Sequence, residues 1–159
     1  MNITVVSVGK LKEKYLKDAI NEYSKRLTRY CKLNIIELPD EKTPDNASEK
    51  EEQLIKEKEG QLILSKIKEN SYVIAMDLKG KEITSEEFSK HLENCGVLGN
   101  SNIVFVIGGS LGLSQEVIKR ANYKLCFSKM TFPHQLFRVM LLEQIYRAFR
   151  ISNNEPYHK

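Results

Sequence analysis

The stretch Ile103-Val104-Phe105-Val106-Ile107 runs straight into Gly108-Gly109-Ser110-Leu111-Gly112-Leu113. Five apolar residues without alternation read as a strand buried on both faces, and the glycines read as a loop at its carboxyl end. The same pattern recurs on either side. Tyr72 to Met76 ends in Asp77-Leu78-Lys79-Gly80-Lys81, and Tyr123 to Phe127 ends in Ser128-Lys129-Met130-Thr131-Phe132. Further upstream, Ile3 to Val8 is closed by Gly9, and Leu33 to Leu38 is stopped by Pro39.

Helical patterns fill the intervals. In Lys10 to Tyr30, residues Leu16, Ile20, Tyr23, Leu27 and Tyr30 share one face. Ser48 to Lys68 carries Leu54, Ile55, Leu62, Ile63 and Ile67 as its apolar stripe, with Asn46 or Ser48 as cap. Thr84 and Glu87 have capping-box spacing for a helix that runs to about Asn94 and is closed by Gly96. Strands that alternate with helices, and read as apolar runs rather than alternating patterns, imply an α/β fold: a mostly parallel sheet with helices on both faces. In such sheets ligands bind beyond the carboxyl ends of the strands. The three loops at Met76-Asp77-Leu78, Gly108-Gly109 and Phe127 to Phe132 are therefore where a pocket is expected.

At 159 residues the chain is expected to be one domain, 1–159, able to bury roughly 68–70% of its unfolded surface without staples. Cys31, Cys95 and Cys126 are odd in number and widely spaced. They predict neither a disulfide framework nor a metal site, and Cys126 reads as a small buried hydrophobe. The N-terminus lacks a basic region before its apolar run, and no stretch approaches the ~20 apolar residues of a membrane span. The chain reads as cytoplasmic.

The net charge of +4 is mild, but its distribution is uneven. Lys10 to Lys32 holds eight basic residues and three acidic, Asp40 to Glu59 holds eight acidic and four basic, and Lys129 to Lys159 holds five basic and two acidic. Such blocks are either the solvated faces of helices or a basic face for a polyanion.

Each chemistry-bearing stretch has a plain reading beside the functional one. Gly108-Gly109-x-x-Gly112 lets backbone approach a ligand, or simply makes a tight turn; it matches neither the dinucleotide fingerprint nor a P-loop. Phe127 to Phe132 is too apolar for a solvent loop. Its backbone can read the edge of a heterocycle between Phe127, Met130 and Phe132, or it is a buried connection. Pro133 suits the start of a helix. From Leu136 to Phe149 that helix is apolar nearly all round, which predicts either a dimer interface or a central core helix. Arg138, Glu143 and Arg147 interrupt it, with Glu143 and Arg147 at ion-pair spacing. The tail ends in Tyr157-His158-Lys159, which either frays or covers a bound base, with Tyr157 to stack and His158 to move a proton.

Taken together these residues resemble the bacterial large-subunit ribosomal RNA (pseudouridine) N3-methyltransferases, a family within the SPOUT class of knotted methyltransferases. The motifs are Val5-x-x-Val8-Gly9-Lys10, Asp77-x-x-Gly80-Lys81, Phe105-x-Ile107-Gly108-Gly109-x-x-Gly112-Leu113-Ser114, Ser128-x-Met130-Thr131-x-Pro133-His134, and Arg147-Ala148 followed by Asn154-x-Pro156-Tyr157-His158. Their order and spacing span essentially the whole chain. The resemblance implies a homodimer with a C-terminal trefoil knot, one of the exceptions to unknotted topology. It also implies S-adenosyl-L-methionine as cofactor, held by Met76, Asp77 and Leu78, by Gly108 and Gly109, and by Phe127, Ser128, Lys129, Met130, Thr131 and Phe132. The implied substrate is a pseudouridine in helix 69 of 23S rRNA, methylated on assembled ribosomes. On this reading His158 is the candidate base, Tyr157 shapes the base pocket and Glu143 is a weaker alternative base. Arg138, Arg147 and Lys159 are candidates for holding RNA phosphates.

Three other readings compete. A SPOUT methyltransferase acting on tRNA or on a ribose 2′-OH would lack a reason for the Asn-x-Pro-Tyr-His tail. A non-catalytic ribosome-binding factor would not need the glycine and Phe127–Phe132 loops. A flavin or nucleotide binder would need a phosphate-cradling loop after the first strand, where Gly9-Lys10-Leu11-Lys12 is poor in small residues.

Overall fold

A computed structural model describes residues 1–159. Five strands, β1 (Asn2–Val8), β2 (Lys32–Leu38), β3 (Tyr72–Glu82), β4 (Asn102–Ile107) and β5 (Tyr123–Cys126), form one sheet in the order β2-β1-β4-β3-β5. Every neighbouring pair is parallel, as the unalternating runs predict. Five helices connect and follow them: α1 (Lys14–Leu27), α2 (Glu49–Ser65), α3 (Ser85–Val97), α4 (Gln115–Arg120) and α5 (His134–Ser152).

The helices divide between the two faces of the sheet. Ile20 and Leu27 of α1, Phe88 and Leu92 of α3, and Leu141, Leu142 and Ile145 of α5 pack with Ile3, Val5, Ile103 and Phe105. On the other face, Ile63 of α2 and Val117 of α4 pack with Val6, Val8, Val73, Val104 and Val106. Ser48 caps α2 by accepting from Glu51 N at 3.2 Å. Thr84 and Glu87 make the expected capping box on α3. Cys126 is buried, as expected. Pro133 is the N-cap residue of α5, one position before its first turn.

Four local expectations are corrected. The first helix begins at Lys14, not Lys10, because Glu37 of β2 takes the Leu11 N–H at 2.7 Å and Gln135 takes the Lys12 N–H at 3.3 Å. Those partners hold the chain extended where its own propensity favours helix. Strand β3 does not stop at Met76 but continues to Glu82. Helix α3 runs past Gly96 to Val97. The segment Gln115–Arg120 forms a helix that the apolar pattern did not reveal, since Val117 is its one buried residue.

Helix α5 is only partly enclosed. Leu141, Leu142, Ile145 and Ala148 are buried, Phe137, Val139, Met140 and Phe149 are half-buried, and Leu136 is exposed. Arg138, which interrupts its apolar run, is 2% exposed. Its guanidinium donates to Glu37 Oε2 at 2.8 Å, Val8 O at 3.2 Å and Gly9 O at 2.6 Å. It is an internal strut that ties α5 to the end of β1.

Candidate active site

The three strand-end loops converge because β4, β3 and β5 are neighbours. Met76 pairs with Leu125, and further along β3 Lys81 pairs with Leu125 again and Glu82 with Cys126. Asp77 to Gly80 is thereby thrown out of the ladder as a bulge, a feature that re-aims side chains near functional sites. Asp77 Oδ1 shapes it by accepting from Lys79 N at 3.2 Å. Gly80 closes it against β5: a Cβ there would stand 2.7 Å from the Lys124 carbonyl carbon. The bulge leaves Leu78 66% exposed.

The glycine loop after β4 turns back on itself. Gly112 N donates to Gly109 O at 3.0 Å, and Gly112 has φ +87°, a conformation L side chains rarely adopt. The tight-turn reading therefore describes its backbone. Gly108 and Gly109 are both buried. A Cβ on Gly109 would lie 3.1 Å from Glu59 Oε1 of α2. Glu59 is itself only 5% exposed, and burial raises its carboxyl pKa above the usual range. Sequence reading placed Glu59 in a solvated acidic block and missed it.

The loop from Phe127 to Phe132 is not a buried connection. Lys129, Met130 and Thr131 are exposed, while Phe127, Ser128 and Phe132 are half-buried. Ser128 Oγ accepts from Met130 N at 3.0 Å, and the Phe127 ring packs on Phe137 with centroids 4.8 Å apart. Phe127, Ser128 and Phe132 line a cleft of about 440 Å³, within the roughly 300–1,000 Å³ usual for small-molecule sites. Its other apolar walls are Tyr23, Ile83, Phe88, Leu125, Val139 and Met140, and its polar groups are Thr84, Ser85, Glu143 and Gln144. Met76, Asp77, Leu78, Gly108, Gly109, Lys129, Met130 and Thr131 do not line this cleft; they border the same end of the sheet. Tyr23 was legible only as a core stripe residue, and Ser85 and Gln144 carried no sequence signal.

The tail folds back onto this cleft instead of fraying. Glu155 is bound by Tyr30, Arg150 and Arg29. The Tyr157 hydroxyl donates to Glu143 Oε1 at 3.1 Å, and its ring packs 5.0 Å from Tyr146 and under the Arg147 guanidinium. Glu143 Oε1 also receives Arg147 Nε at 3.0 Å and Nη2 at 2.6 Å, and Oε2 receives Gln144 Nε2 at 2.9 Å. His158 lies between Arg147 Nη1, 3.1 Å from Nδ1, and Glu86 Oε1, 2.8 Å from Nε2. Ser85, beside Glu86, donates to Gln144 Oε1 at 2.7 Å. The bonds thus run Ser85–Gln144–Glu143–Arg147–His158–Glu86 and close a ring joining the start of α3, the middle of α5 and the tail.

The ring sorts the titratable groups. Arginine can only donate, so His158 Nδ1 accepts from Arg147 and Nε2–H donates to Glu86, which fixes a neutral tautomer. That bond holds the Glu86 carboxyl below its usual range. Burial, and then the Glu143 carboxylate, push the Tyr157 phenol up to about 12. At neutral pH Tyr157 is a hydrogen-bond donor, not a base. Glu143 is engaged by four donors, three on Oε1 and one on Oε2. Of the residues expected on phosphates, Lys159 is exposed, Arg147 is held by Glu143 and His158, and Arg138 is buried in bonds to β1 and Glu37. Arg138 presents no solvent-facing edge to RNA, which corrects that expectation.

The chain matches the family model described as "Predicted SPOUT methyltransferase" over residues 1–158. It is 87% identical to the ribosomal RNA large subunit methyltransferase H 1 of Clostridium perfringens strain SM101, across 100% of both chains. It is 77% identical to the ribosomal RNA large subunit methyltransferase H of Clostridium botulinum strain Alaska E43, again across 100% of both. Among solved structures, a probable methylase family protein from Haemophilus influenzae Rd KW20 shares the fold, with a TM-score of 0.55 at 15% identity, over 99% of this chain and 70% of that one.

Proposed function

This chain belongs to the SPOUT methyltransferase family, among the ribosomal RNA large subunit methyltransferases H, and from that premise we propose that it methylates N3 of a pseudouridine in helix 69 of 23S rRNA on assembled ribosomes in the cytoplasm. The methyl donor on this reading is S-adenosyl-L-methionine, bound at the ends of β3, β4 and β5 in a C-terminal trefoil knot. The observation that carries the reading is the cleft edged by Phe127, Ser128 and Phe132 and continuous, through Glu143, with the folded tail. Its aromatic and apolar walls suit a flat heterocycle, and its few polar groups suit orientation. The half-buried apolar residues of α5, together with the exposed Leu78 and Met130, support a homodimer that covers apolar surface.

S-adenosylmethionine, when bound, supplies an electrophilic methyl group. The residues of this chain position the acceptor and take its proton. The imide N3 of pseudouridine carries a hydrogen that must leave, so positioning comes first and a base second. His158 is the base on this reading. Arg147 occupies Nδ1 with an N–H donor of the same kind as the imide, so the incoming base exchanges for Arg147. Glu86 stays on Nε2–H and steadies the imidazolium that forms, as a carboxylate does in a catalytic triad. Tyr157, a neutral phenol held by Glu143, stacks beside the substrate base.

The test is methyl transfer to ribosomes lacking this modification, followed by mass spectrometry of the nucleosides, with wild type beside His158→Ala. Label on the helix 69 pseudouridine, reduced about 10²–10⁴-fold in the variant, is the expected result. Label that survives intact removes His158 as base. Label on tRNA alone, or cofactor binding with no transfer, replaces the substrate or the catalytic reading respectively.

A further inference from the structure

A second groove lies between α1 and the edge strand β2. It has a volume of about 590 Å³ and is lined by Lys10, Lys17, Asn21, Ser24 and Glu37 over an apolar floor of Leu11, Ile20 and Ile35. Lys10 and Lys17 are exposed, and neither has an acidic partner within 4 Å. Of the acids nearby, Asp18 pairs with Lys14 and Glu22 with Arg26, and Glu13, the N-cap of α1, is not part of the groove lining. Glu37, the one carboxylate in the groove, is cancelled by the buried Arg138 at 2.8 Å and also holds the Leu11 N–H. What remains is a groove of uncompensated positive charge with amide and hydroxyl donors along it.

The groove is anchored to the start of α5. Arg138 ties Gly9 and Val8 to that helix, and Gln135 ties Lys12 to it. Helix α5 follows directly from the Phe127–Phe132 loop. Lys10 itself follows the carboxyl end of β1, so the groove opens at the end of the sheet where the cleft lies.

We propose that this groove is a docking track for the phosphate backbone of the RNA substrate, with Lys10 and Lys17 as its phosphate contacts and Asn21 and Ser24 as supporting donors. The proposal rests on the ribosomal RNA reading above and deepens it. Lysines on a track of this kind contribute affinity without reading sequence, and they release counterions, which makes binding salt-dependent. The buried Arg138 serves the RNA indirectly, by offsetting the charge of Glu37, the one carboxylate in the groove.

The experiment compares wild type, the double variant Lys10→Gln/Lys17→Gln, the double variant Lys10→Arg/Lys17→Arg, and a control, Lys42→Gln/Lys50→Gln, whose lysines are also exposed and lie in the acidic stretch from Asp40 to Glu59. Methyl transfer to unmodified ribosomes is measured across a salt series, with S-adenosylmethionine affinity and sedimentation measured in parallel. The expected result for the glutamine pair at 10 and 17 is a several-fold rise in KM for ribosomes with kcat and cofactor affinity kept. The salt slope of log(kcat/KM) should fall by about 1 per lysine. The arginine pair should restore both values, and the control should match wild type. A salt slope unchanged in the glutamine pair overturns the proposal. So does a change in oligomeric state in its place, which would make the groove a contact between copies. Wild-type enzyme that transfers no label to ribosomal RNA overturns the substrate reading and this track with it, whereas wild-type activity with an unmoved slope overturns the track alone.

Discussion

The two faces of the sheet are built from different materials. The α1/α3/α5 face packs Phe88, Phe105 and Tyr146 with Leu and Ile and is surrounded by Tyr23, Tyr30, Phe137, Phe149 and Tyr157. The α2/α4 face is a smaller aliphatic layer, mainly Val6, Val8, Val73, Val104, Val106 and Val117. Both faces stabilise the same strands, yet the cleft and the hydrogen-bonded ring belong to the aromatic one. Aromatic rings with polar tips can wall a cavity and still hold a hydroxyl or guanidinium at its edge. Valine offers shape alone. The aliphatic layer fixes the strands, and the aromatic layer carries the chemistry.

The sharpest test of that division is unequal truncation. Phe105→Ala, on the aromatic side, should cost about 3–5 kcal/mol in urea unfolding, while Ile63→Val on the other should cost about 0.5–1.5 kcal/mol. Equal losses would break the comparison. Next comes Arg138→Ala, which removes the strut between α5 and β1. Removing one member of a buried pair costs about 3–5 kcal/mol, and since Glu37 can reach water the low end, ~3 kcal/mol, is expected in the same assay.

A smaller effect, on rate instead of stability, is expected for Glu143→Gln. It weakens three of the bonds that hold Arg147 and Tyr157 while keeping the shape of the cleft, since glutamine is isosteric with the glutamate that lines it. Misplacing those groups should lower kcat on the order of 10²-fold, with S-adenosylmethionine affinity kept. A KM effect without a kcat effect would make the ring a binding device only.

The smallest concerns the one carboxylate buried on the aliphatic side. Glu59 has a raised pKa in the folded state, so the folded state binds its proton more tightly than the unfolded state. Its charge therefore destabilises the fold above its folded pKa, and that penalty is relieved as pH falls through that value. Glu59→Gln should raise Tm by about 2–4 °C at pH 7, the shift that ~1 kcal/mol makes in a chain this long. The gain should shrink toward pH 4. A gain independent of pH would mean that the carboxylate's charge is not the cause.

Much of the fold was legible because the central strands are buried on both faces, so Ile3–Val8 and Ile103–Ile107 spell themselves out as unbroken apolar runs. Caps at Ser48 and Thr84 were legible because their partners lie three residues away. What failed depended on distant partners. Lys10 to Glu13 looks helical until Glu37 and Gln135 claim its N–H groups. Helix α4 is too short to show a period. At the site, Phe127, Ser128 and Phe132 announced themselves as apolar residues in a loop, and Tyr157 and His158 as functional types in a tail. Tyr23, Glu86 and Gln144 did not, because residues from three separate helices become neighbours only after folding. Arg138 misled for the same reason: a lone arginine on a greasy helix looks like a surface cation, and only Glu37 of β2 reveals it as internal.

The position of β1 in the sheet has a kinetic consequence. Its neighbours are β2, about thirty residues on, and β4, about a hundred residues on, as the pairings Asn2–Lys32 and Asn2–Asn102 show. A nascent β1–β2 pair would carry Ile3, Val5 and Val6 with one edge still bare until β4 arrives. Non-local parallel pairing of this kind is slow to form and exposes a sticky template meanwhile. Refolding yield should therefore fall steeply with protein concentration, and the event that relieves it is the insertion of β4 beside the first strand.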